Sequence, residues 1–366
     1  MDKVRFTYVD LVRGVCAILV LLMHFALFAH VDRNLVGTID HPPFFRPLYI
    51  FGDRAVRMFW ALSGFVFLIA YIKEGKDLSV RRFAAWRFSR LYPLHLATFI
   101  GVVLLQGVSH LVVGEPQIYK DNTAINAFYH VIFVSGWLGS SQNSFNAVIW
   151  SVSIEVFVYA GFLIYMINTK PTVSRSLAIA GTALIGAQIT GNLILSCASF
   201  FFMGCAGGHA TLMLRKRSAS LHLGVALASL VLPVSLAIVL RYTGHKDLWM
   251  LPLEYGTFIG ILMLCGVADV RLPPVPKHLH WVGDITYSVY LVHMPVMIAM
   301  LILAKRTDWS ETFIQGPFVL IVFLSTVLVL SRLIYARFEK PVQTWLRARL
   351  VPDRREPAAR EMARAI

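Results

Sequence analysis

Residues 11–30 have the sequence LVRGVCAILVLLMHFALFAH, an almost unbroken apolar run. A helix that crosses the hydrocarbon core of a bilayer needs about 20 such residues. Nine further strong apolar runs follow along the chain. They cover residues 55–72, 91–113, 148–168, 176–193, 195–213, 221–240, 249–268, 282–304 and 313–336. The sequence therefore predicts an all-α, polytopic membrane helix bundle with about ten transmembrane helices.

The composition indicates the same class. Of the 366 residues, 57% are hydrophobic and 15% are charged, whereas about a quarter of a typical globular protein is charged. A disordered chain, a disulfide-rich secreted domain and a nucleic-acid-binding scaffold are therefore not expected, and we expect no nucleic-acid partner. Cys16, Cys197, Cys205 and Cys265 lie in apolar runs without metal-binding spacing, so we expect reduced core thiols and no metal site.

The basic residues are unevenly distributed between alternate loops. With the N-terminus in the cytoplasm, 24 of the 34 Lys and Arg residues fall on the cytoplasmic side and nine on the other. Because cytoplasmic loops collect these residues, both termini are predicted to be cytoplasmic. The weaker stretch 124–139 is interpreted as a re-entrant or interfacial segment. If it were a full span, the basic cluster at 215–217 and the basic tail would lie outside the cytoplasm, against the positive-inside rule. We expect a membrane domain over residues 1–341 and a basic cytoplasmic tail over 342–366.

Ionisable residues inside the first run indicate a functional site, because they are costly at membrane depth. Arg13 and His24 are eleven residues apart, so they share one helix face about 16 Å apart along the axis. A neutral histidine at that depth can serve as a general base. The alternative is a histidine that only hydrogen-bonds to a neighbouring helix.

Three later runs carry further candidates. Arg87 and Arg90 are three residues apart and suit a phosphate or pyrophosphate group, although ordinary positive-inside anchoring explains them as well. Glu155 could pair with an arginine or orient a catalytic histidine, and the sequence leaves both roles open. Tyr290 and His293 share a helix face and are interpreted as scaffold or pocket lining.

Six motifs in order resemble the acyltransferase 3 family of integral-membrane O-acyltransferases. They are Arg13 with His24, Phe59–Phe65 around Ser63–Gly64, Arg87–Pro93, Trp150–Glu155, Tyr287–His293 and Phe338–Pro341. The resemblance extends from about Tyr8 to Pro341, nearly the whole chain. Val156 stands where the family often has a second acidic residue, so Glu155 supplies the one carboxylate of this motif.

The resemblance implies transfer of an acyl group from cytoplasmic acyl-CoA, with acetyl-CoA as the expected donor. The implied acceptor is a hydroxyl of an extracytoplasmic or lipid-linked carbohydrate, such as exopolysaccharide or O-antigen, at the bilayer of a bacterial inner membrane. His24 is expected to act as general base or transient acyl acceptor, with Glu155 orienting or stabilising it, and Arg13 is counted with them as a catalytic residue. We expect Arg87 and Arg90 to bind the donor phosphates, with help from Arg13. The remaining pocket residues are expected to be Ser63, Trp150, Ser151, Tyr159, Tyr290 and His293.

Two other functions are compatible with the composition. A transporter or flippase of a glycan or lipid would move its substrate without consuming acyl-CoA. An acyl-relay subunit would pass the group to a separate periplasmic transferase. The arginine pair and the six motifs favour the enzyme.

Overall fold

The computed structural model describes residues 6–28, 45–137, 143–245, 248–314 and 316–351. Within these ranges the regular elements are all helical. The α-helices are α1 (Thr7–Phe28), α2 (Phe45–Tyr71), α3 (Val80–Val112), α4 (Ala124–Val131), α5 (Trp150–Asn168), α6 (Val173–Thr190), α7 (Leu193–Leu214), α8 (Ala219–Tyr242), α9 (Met250–Arg271), α10 (His280–Asp284), α11 (Thr286–Arg306), α12 (Glu311–Ile314), α13 (Pro317–Ile334) and α14 (Lys340–Leu350).

Nine helical segments in the described ranges are long and apolar enough to cross a membrane, which confirms the predicted polytopic all-α bundle. They are α1, α2, α3, α5, α7, α8, α9, α11 and the continuous segment from α13 to α14. The remaining predicted run, 176–193, forms most of α6, which packs against α7. Arg175 and Gln188 lower the mean hydropathy of α6, and it is not among the nine.

The helix α3 is longer than a bilayer is thick. Its 33 residues span about 50 Å, against a hydrocarbon core of about 30 Å. It begins at Val80, before the predicted apolar run, and the Ser79 hydroxyl caps it by accepting a hydrogen bond from the Arg82 amide at 3.3 Å. Arg87 and Arg90 therefore lie in the first turns of a helix, at one end of the bundle.

The helices α2 and α7 cross with their backbones in close contact. A Cβ atom on Gly64 would lie 1.8 Å from the Phe201 carbonyl oxygen, and one on Gly204 would lie 1.9 Å from that of Ala61. Small residues allow this approach between membrane helices. The crossing fixes the part of α2 that carries the neighbouring Ser63.

An aromatic cluster fills the core between α2, α3, α5 and α7. Its main members are Phe67, Phe83, Phe162 and Phe201, whose neighbouring ring centroids lie 5.6–6.2 Å apart. Edge-to-face pairs dominate, which is the favourable geometry for such rings. All four cysteines are free, as expected, and three of them are buried.

Two segments outside the long spans bear on the predicted organisation. The helix α4 has eight residues, about 12 Å, and is too short to cross a bilayer. At the C-terminal end, α13 continues through a π-helix (Tyr335–Glu339) into α14, which packs against α3. Thus α14 takes up the first part of the predicted tail 342–366, whereas residues 352–366 lie outside the described residues. The boundary between domain and tail stays a prediction.

Candidate active site

A cavity of about 400 Å³ opens at the end of the bundle where α3 begins. Side chains of α1, α2, α3, α5, α11 and α14 line it. On α2 the lining runs from Val56 to Tyr71, which is roughly 22 Å of helix. The cavity is therefore long enough to hold an extended ligand along the helix axes.

The charged lining of this cavity is strongly positive. It consists of four arginines and one glutamate, namely Arg13, Arg87, Arg90, Arg347 and Glu155. A concave surface with low-dielectric walls strengthens such a field and attracts anions. The charges therefore favour a polyanionic ligand.

Arg87 lies on the aromatic cluster. Its guanidinium carbon is 4.4 Å from the ring centroid of Phe67 and 5.8 Å from that of Phe83. One Nη donates to the Tyr71 hydroxyl at 3.3 Å, while the Nε is buried without a hydrogen-bond partner in the described part of the chain. Cation–π contact holds the guanidinium without neutralising it, so its charge is available to a ligand.

Arg90 is held differently, by a carboxylate of the π-helix. Its Nη1 lies 2.9 Å from Oε1 of Glu339, and Ser288 of α11 donates to the other carboxylate oxygen at 2.5 Å. Glu339 is buried. The π-helix thus ties α3 to α11 at the cavity mouth, and π-helical turns often occur at functional sites.

Glu155 is the acidic residue of the cavity wall. Tyr159, one turn further along α5, donates to its Oε1 at 2.7 Å. Ser63 of α2 lies beside the same carboxylate, and the charges of Arg13 and Arg87 also act on it. Arg13 itself lies 3.4 Å from Asp10. Glu155 therefore sits among the arginines of the cavity.

Hydroxyl groups form the inner end of the cavity. Tyr290 of α11 donates to the Val148 carbonyl at 2.9 Å, and its oxygen lies 2.7 Å from the Ser151 hydroxyl. Trp60 donates from its indole nitrogen to the Ser151 carbonyl at 3.3 Å, and Trp150 packs edge-on against Trp60. These contacts join α2, α5 and α11 around a polar pocket.

His24 lies beyond this inner end. Its ring packs against that of His293, with centroids 4.8 Å apart and the ring planes tilted by 48°, and His293 lies 6.1 Å from the Tyr290 ring. The Nδ1 of His24 is 2.9 Å from the Val20 carbonyl, so it donates there and leaves Nε2 as the basic nitrogen of the neutral ring. The Nε2 of His293 is buried without a hydrogen-bond partner in the described residues.

The structure thus brings most of the predicted site residues together. Those that line the cavity are Arg13, Ser63, Arg87, Arg90, Ser151, Glu155, Tyr159 and Tyr290. Three predicted residues do not line the cavity. Trp150 packs against the lining residue Trp60, and His293 packs against the lining residue Tyr290. His24 packs against His293. The roles of all of them stay predictions.

Sequence analysis did not place three residues of the C-terminal segment in this site. Glu339 was recognised only as part of a terminal motif, and Gln343 and Arg347 were assigned to the tail. In the structure Gln343 and Arg347 line the cavity and Glu339 pairs with Arg90. The available signal was a helix-forming sequence directly after Pro341, with no break between the last span and the basic segment.

No group of three or more His, Cys, Asp or Glu residues that could hold a metal ion occurs within the described ranges. The functional groups of the site are therefore guanidinium, carboxylate, hydroxyl and imidazole. This set can bind an anion, hold a hydroxyl-bearing group and move a proton.

Known proteins match this chain by sequence. The acyltransferase domain family matches residues 6–336. The acyltransferase MdmB of Streptomyces mycarofaciens is 35% identical over 127 residues, which cover 34% of this chain and 31% of that relative. No solved structure matches the chain. Because the family match covers nearly the whole described bundle, the chain belongs to the acyltransferase 3 family.

Proposed function

We propose that this protein is a membrane-bound O-acyltransferase that uses acyl-CoA, with acetyl-CoA as its donor. The observation that carries the proposal is the single cavity with arginines at its mouth and hydroxyl groups at its inner end. The arrangement suits a ligand that is anionic at one end and reactive at the other. Acyl-CoA has this distribution, since its phosphates are far from its thioester.

Binding of the donor would begin at the mouth of the cavity. Arg87 forms no ion pair within 4 Å among the described residues, although Glu155 lies on the same cavity wall, and Arg90 lies one helical turn along α3. Two guanidinium groups at this spacing can bind a diphosphate through charge-assisted hydrogen bonds. The pantetheine arm would then extend along α2, past Ser63, toward Ser151 and Tyr290.

The chemistry would take place near His24. In our proposal Nε2 of His24 accepts the proton of the acceptor hydroxyl as its oxygen attacks the thioester carbonyl carbon. The carbon–sulfur bond breaks, CoA leaves as the thiolate, and the imidazolium returns the proton to the sulfur. His293 positions the His24 ring by packing against it. We propose that Glu155 holds Arg13 and Arg87 in place.

The acceptor would approach from the side opposite the arginines. This direction follows because the two ends of the site are separated along the bundle axis. For the acceptor itself we propose a hydroxyl of a carbohydrate or lipid-linked glycan, such as exopolysaccharide or O-antigen. The expected location is the bacterial inner membrane, where cytoplasmic acyl-CoA and such acceptors lie on opposite faces.

The test is acyl transfer by the purified protein from radiolabelled acetyl-CoA to extracts of bacterial glycans and lipids. We expect label in the extract together with release of free CoA, and loss of both in His24→Ala. His110→Ala is the matched control, because His110 is exposed at the far end of α3. Vectorial movement of a glycan by a folded protein without consumption of acetyl-CoA would instead favour the transporter.

A further inference from the structure

The helix α14 begins after the residues that the family match covers, and it closes one side of the cavity. The family match ends at residue 336, and α14 covers Lys340–Leu350. It packs against α3 and places Gln343 and Arg347 in the cavity lining. One wall of the site is therefore formed by residues that follow the matched range 6–336.

Arg347 is held at the cavity mouth by neutral groups. Its Nε donates to the Ser89 hydroxyl at 3.3 Å, and its guanidinium carbon lies 5.1 Å from the Trp86 ring centroid. No carboxylate in the described ranges lies within ion-pair distance of it. The tryptophan ring and the serine fix the position of the guanidinium but do not neutralise its charge.

The neighbours of Arg347 are themselves cationic. The positive charges of Arg87 and Arg90 act on it. Glu339 pairs with Arg90, and Glu155 is the one acid among the described residues that line the cavity. Like charges gathered at one mouth repel each other, and an anion between them removes that cost. Three guanidinium groups exceed what one diphosphate requires.

We propose that Arg347 is a third phosphate-binding arginine, which makes α14 part of the donor site and a determinant of donor specificity. This inference rests on the proposed function. Arg87 and Arg90 would bind one phosphate group or diphosphate of the donor, and Arg347 would bind a further phosphate of the same molecule. The protein would accordingly discriminate between donors by their number of phosphates.

The experiment compares the binding of CoA, dephospho-CoA and pantetheine to the full-length protein in detergent. Arg347→Gln is expected to weaken CoA binding roughly 10- to 100-fold, the effect of losing charge-assisted hydrogen bonds. Its effect on the turnover of S-acetyl-pantetheine, which has no phosphate, should be smaller than its effect on the turnover of acetyl-CoA. Arg349→Gln is the matched control, since Arg349 is exposed on the same helix and stacks on Trp345.

A second measurement uses the wild-type protein, so its outcome does not depend on whether the variant folds. Phenylglyoxal modifies accessible arginines, and mass spectrometry locates each modified site. Bound CoA is expected to slow modification of Arg347 but not of Arg349. Equal rates with and without CoA would overturn the inference, as would unchanged CoA affinity in a folded Arg347→Gln protein.

The outcomes separate this inference from the proposed function. If the wild type turns over acetyl-CoA and Arg347→Gln binds CoA equally well, only the role of α14 is wrong. In that case α14 braces α3 or holds a lipid headgroup. If the wild type neither binds CoA nor uses acetyl-CoA, both the proposed function and the proposed role of Arg347 are wrong.

Discussion

At the residue scale, the cavity arginines differ in how their charge is compensated. Arg13 and Arg90 lie beside carboxylates, whereas Arg87 and Arg347 lie over aromatic rings. A carboxylate partner lowers the net charge that a ligand meets, and an aromatic ring does so far less. Arg87 and Arg347 are therefore expected to contribute most to anion binding, and Arg90 to contribute to the fold as well.

Substitution of Arg87 should act mainly on donor binding. We expect Arg87→Gln to raise the KM for acetyl-CoA by roughly 10- to 100-fold, because the lost interaction is a charge-assisted hydrogen bond. The kcat should change little, since the residue lies far from His24. Steady-state kinetics with Arg81→Gln as control, an exposed arginine near the start of the same helix, checks this. An unchanged KM would contradict the assigned role.

Substitution of Arg90 should also reduce stability, because it leaves the buried Glu339 carboxylate without its partner. Breaking a fully buried pair costs roughly 3–5 kcal/mol, and less here because Arg90 is partly exposed. We expect a lower Tm for Arg90→Gln and partial recovery in the double variant Arg90→Gln/Glu339→Gln. Thermal unfolding in detergent measures both. Additive losses in the double variant would show that the pair is not coupled.

The sequence could predict the residues of the site better than their partners. The spacings of Arg87 with Arg90 and of Ser151, Glu155 and Tyr159 place each set on one helix face, and the structure shows all of them in the cavity. The spacing of residues within one helix does not predict which other helix that face packs against. For that reason neither the ring contact between His24 and His293 nor the pairing of Arg90 with Glu339 could be derived from the sequence.

At the element scale, the crossing of α2 and α7 leaves no room for a side chain at Gly64. A Cβ there would overlap the Phe201 carbonyl, so the helices must separate in Gly64→Ala. Overpacking of this kind costs about 1–3 kcal/mol. We expect a Tm several degrees lower than that of Gly161→Ala, whose added Cβ would meet nothing within 4 Å. Equal melting temperatures would contradict the close crossing.

The helix α4 should open more easily in mild acid. Burial lowers the pKa of its His130 to about 3, and the neighbouring His95 of α3 adds to this shift. In the opened segment the histidine has a pKa of about 6.5. Between these values only the opened state takes up a proton. The free energy of opening of α4 is therefore highest above pH 6.5 and decreases as the pH falls below that value.

Hydrogen exchange tests this prediction directly. The protection factors of residues 124–131 should fall by about tenfold per pH unit below pH 6.5, since the opened state gains about 1.4 kcal/mol per unit. Residues 158–166 of α5 contain no histidine and should keep their protection. Constant protection of α4 between pH 7 and pH 5 would show that His130 does not control the opening.

Element boundaries show where sequence patterns are insufficient. The apolar run at 91–113 predicted the membrane part of α3, but the helix starts at Val80 because Ser79 caps it and the arginines that follow favour helix. The segment after Pro341 is rich in arginine, so it is typical of a cytoplasmic tail. Its packing on α3 depends on tertiary contacts with Trp86 and Ser89.

At the scale of the whole molecule, the orientation in the membrane remains a prediction from charge. The arginine-rich mouth and the C-terminal helix lie at the same end of the bundle, and the positive-inside rule places that end in the cytoplasm. A fluorescent protein fused to the C-terminus should therefore be fluorescent, and an alkaline phosphatase fusion inactive. The reverse pattern would place the arginines on the side without acyl-CoA.

The central claim is that acyl-CoA binds in the arginine cavity with its thioester directed toward His24. The most direct test is an electron cryomicroscopy map of the protein in lipid nanodiscs with bound CoA. We expect phosphate density beside Arg87 and Arg90, and the thiol at the inner end near Tyr290 and His293. CoA bound elsewhere on the molecule, or with its thiol at the mouth and its phosphates inside, would contradict it.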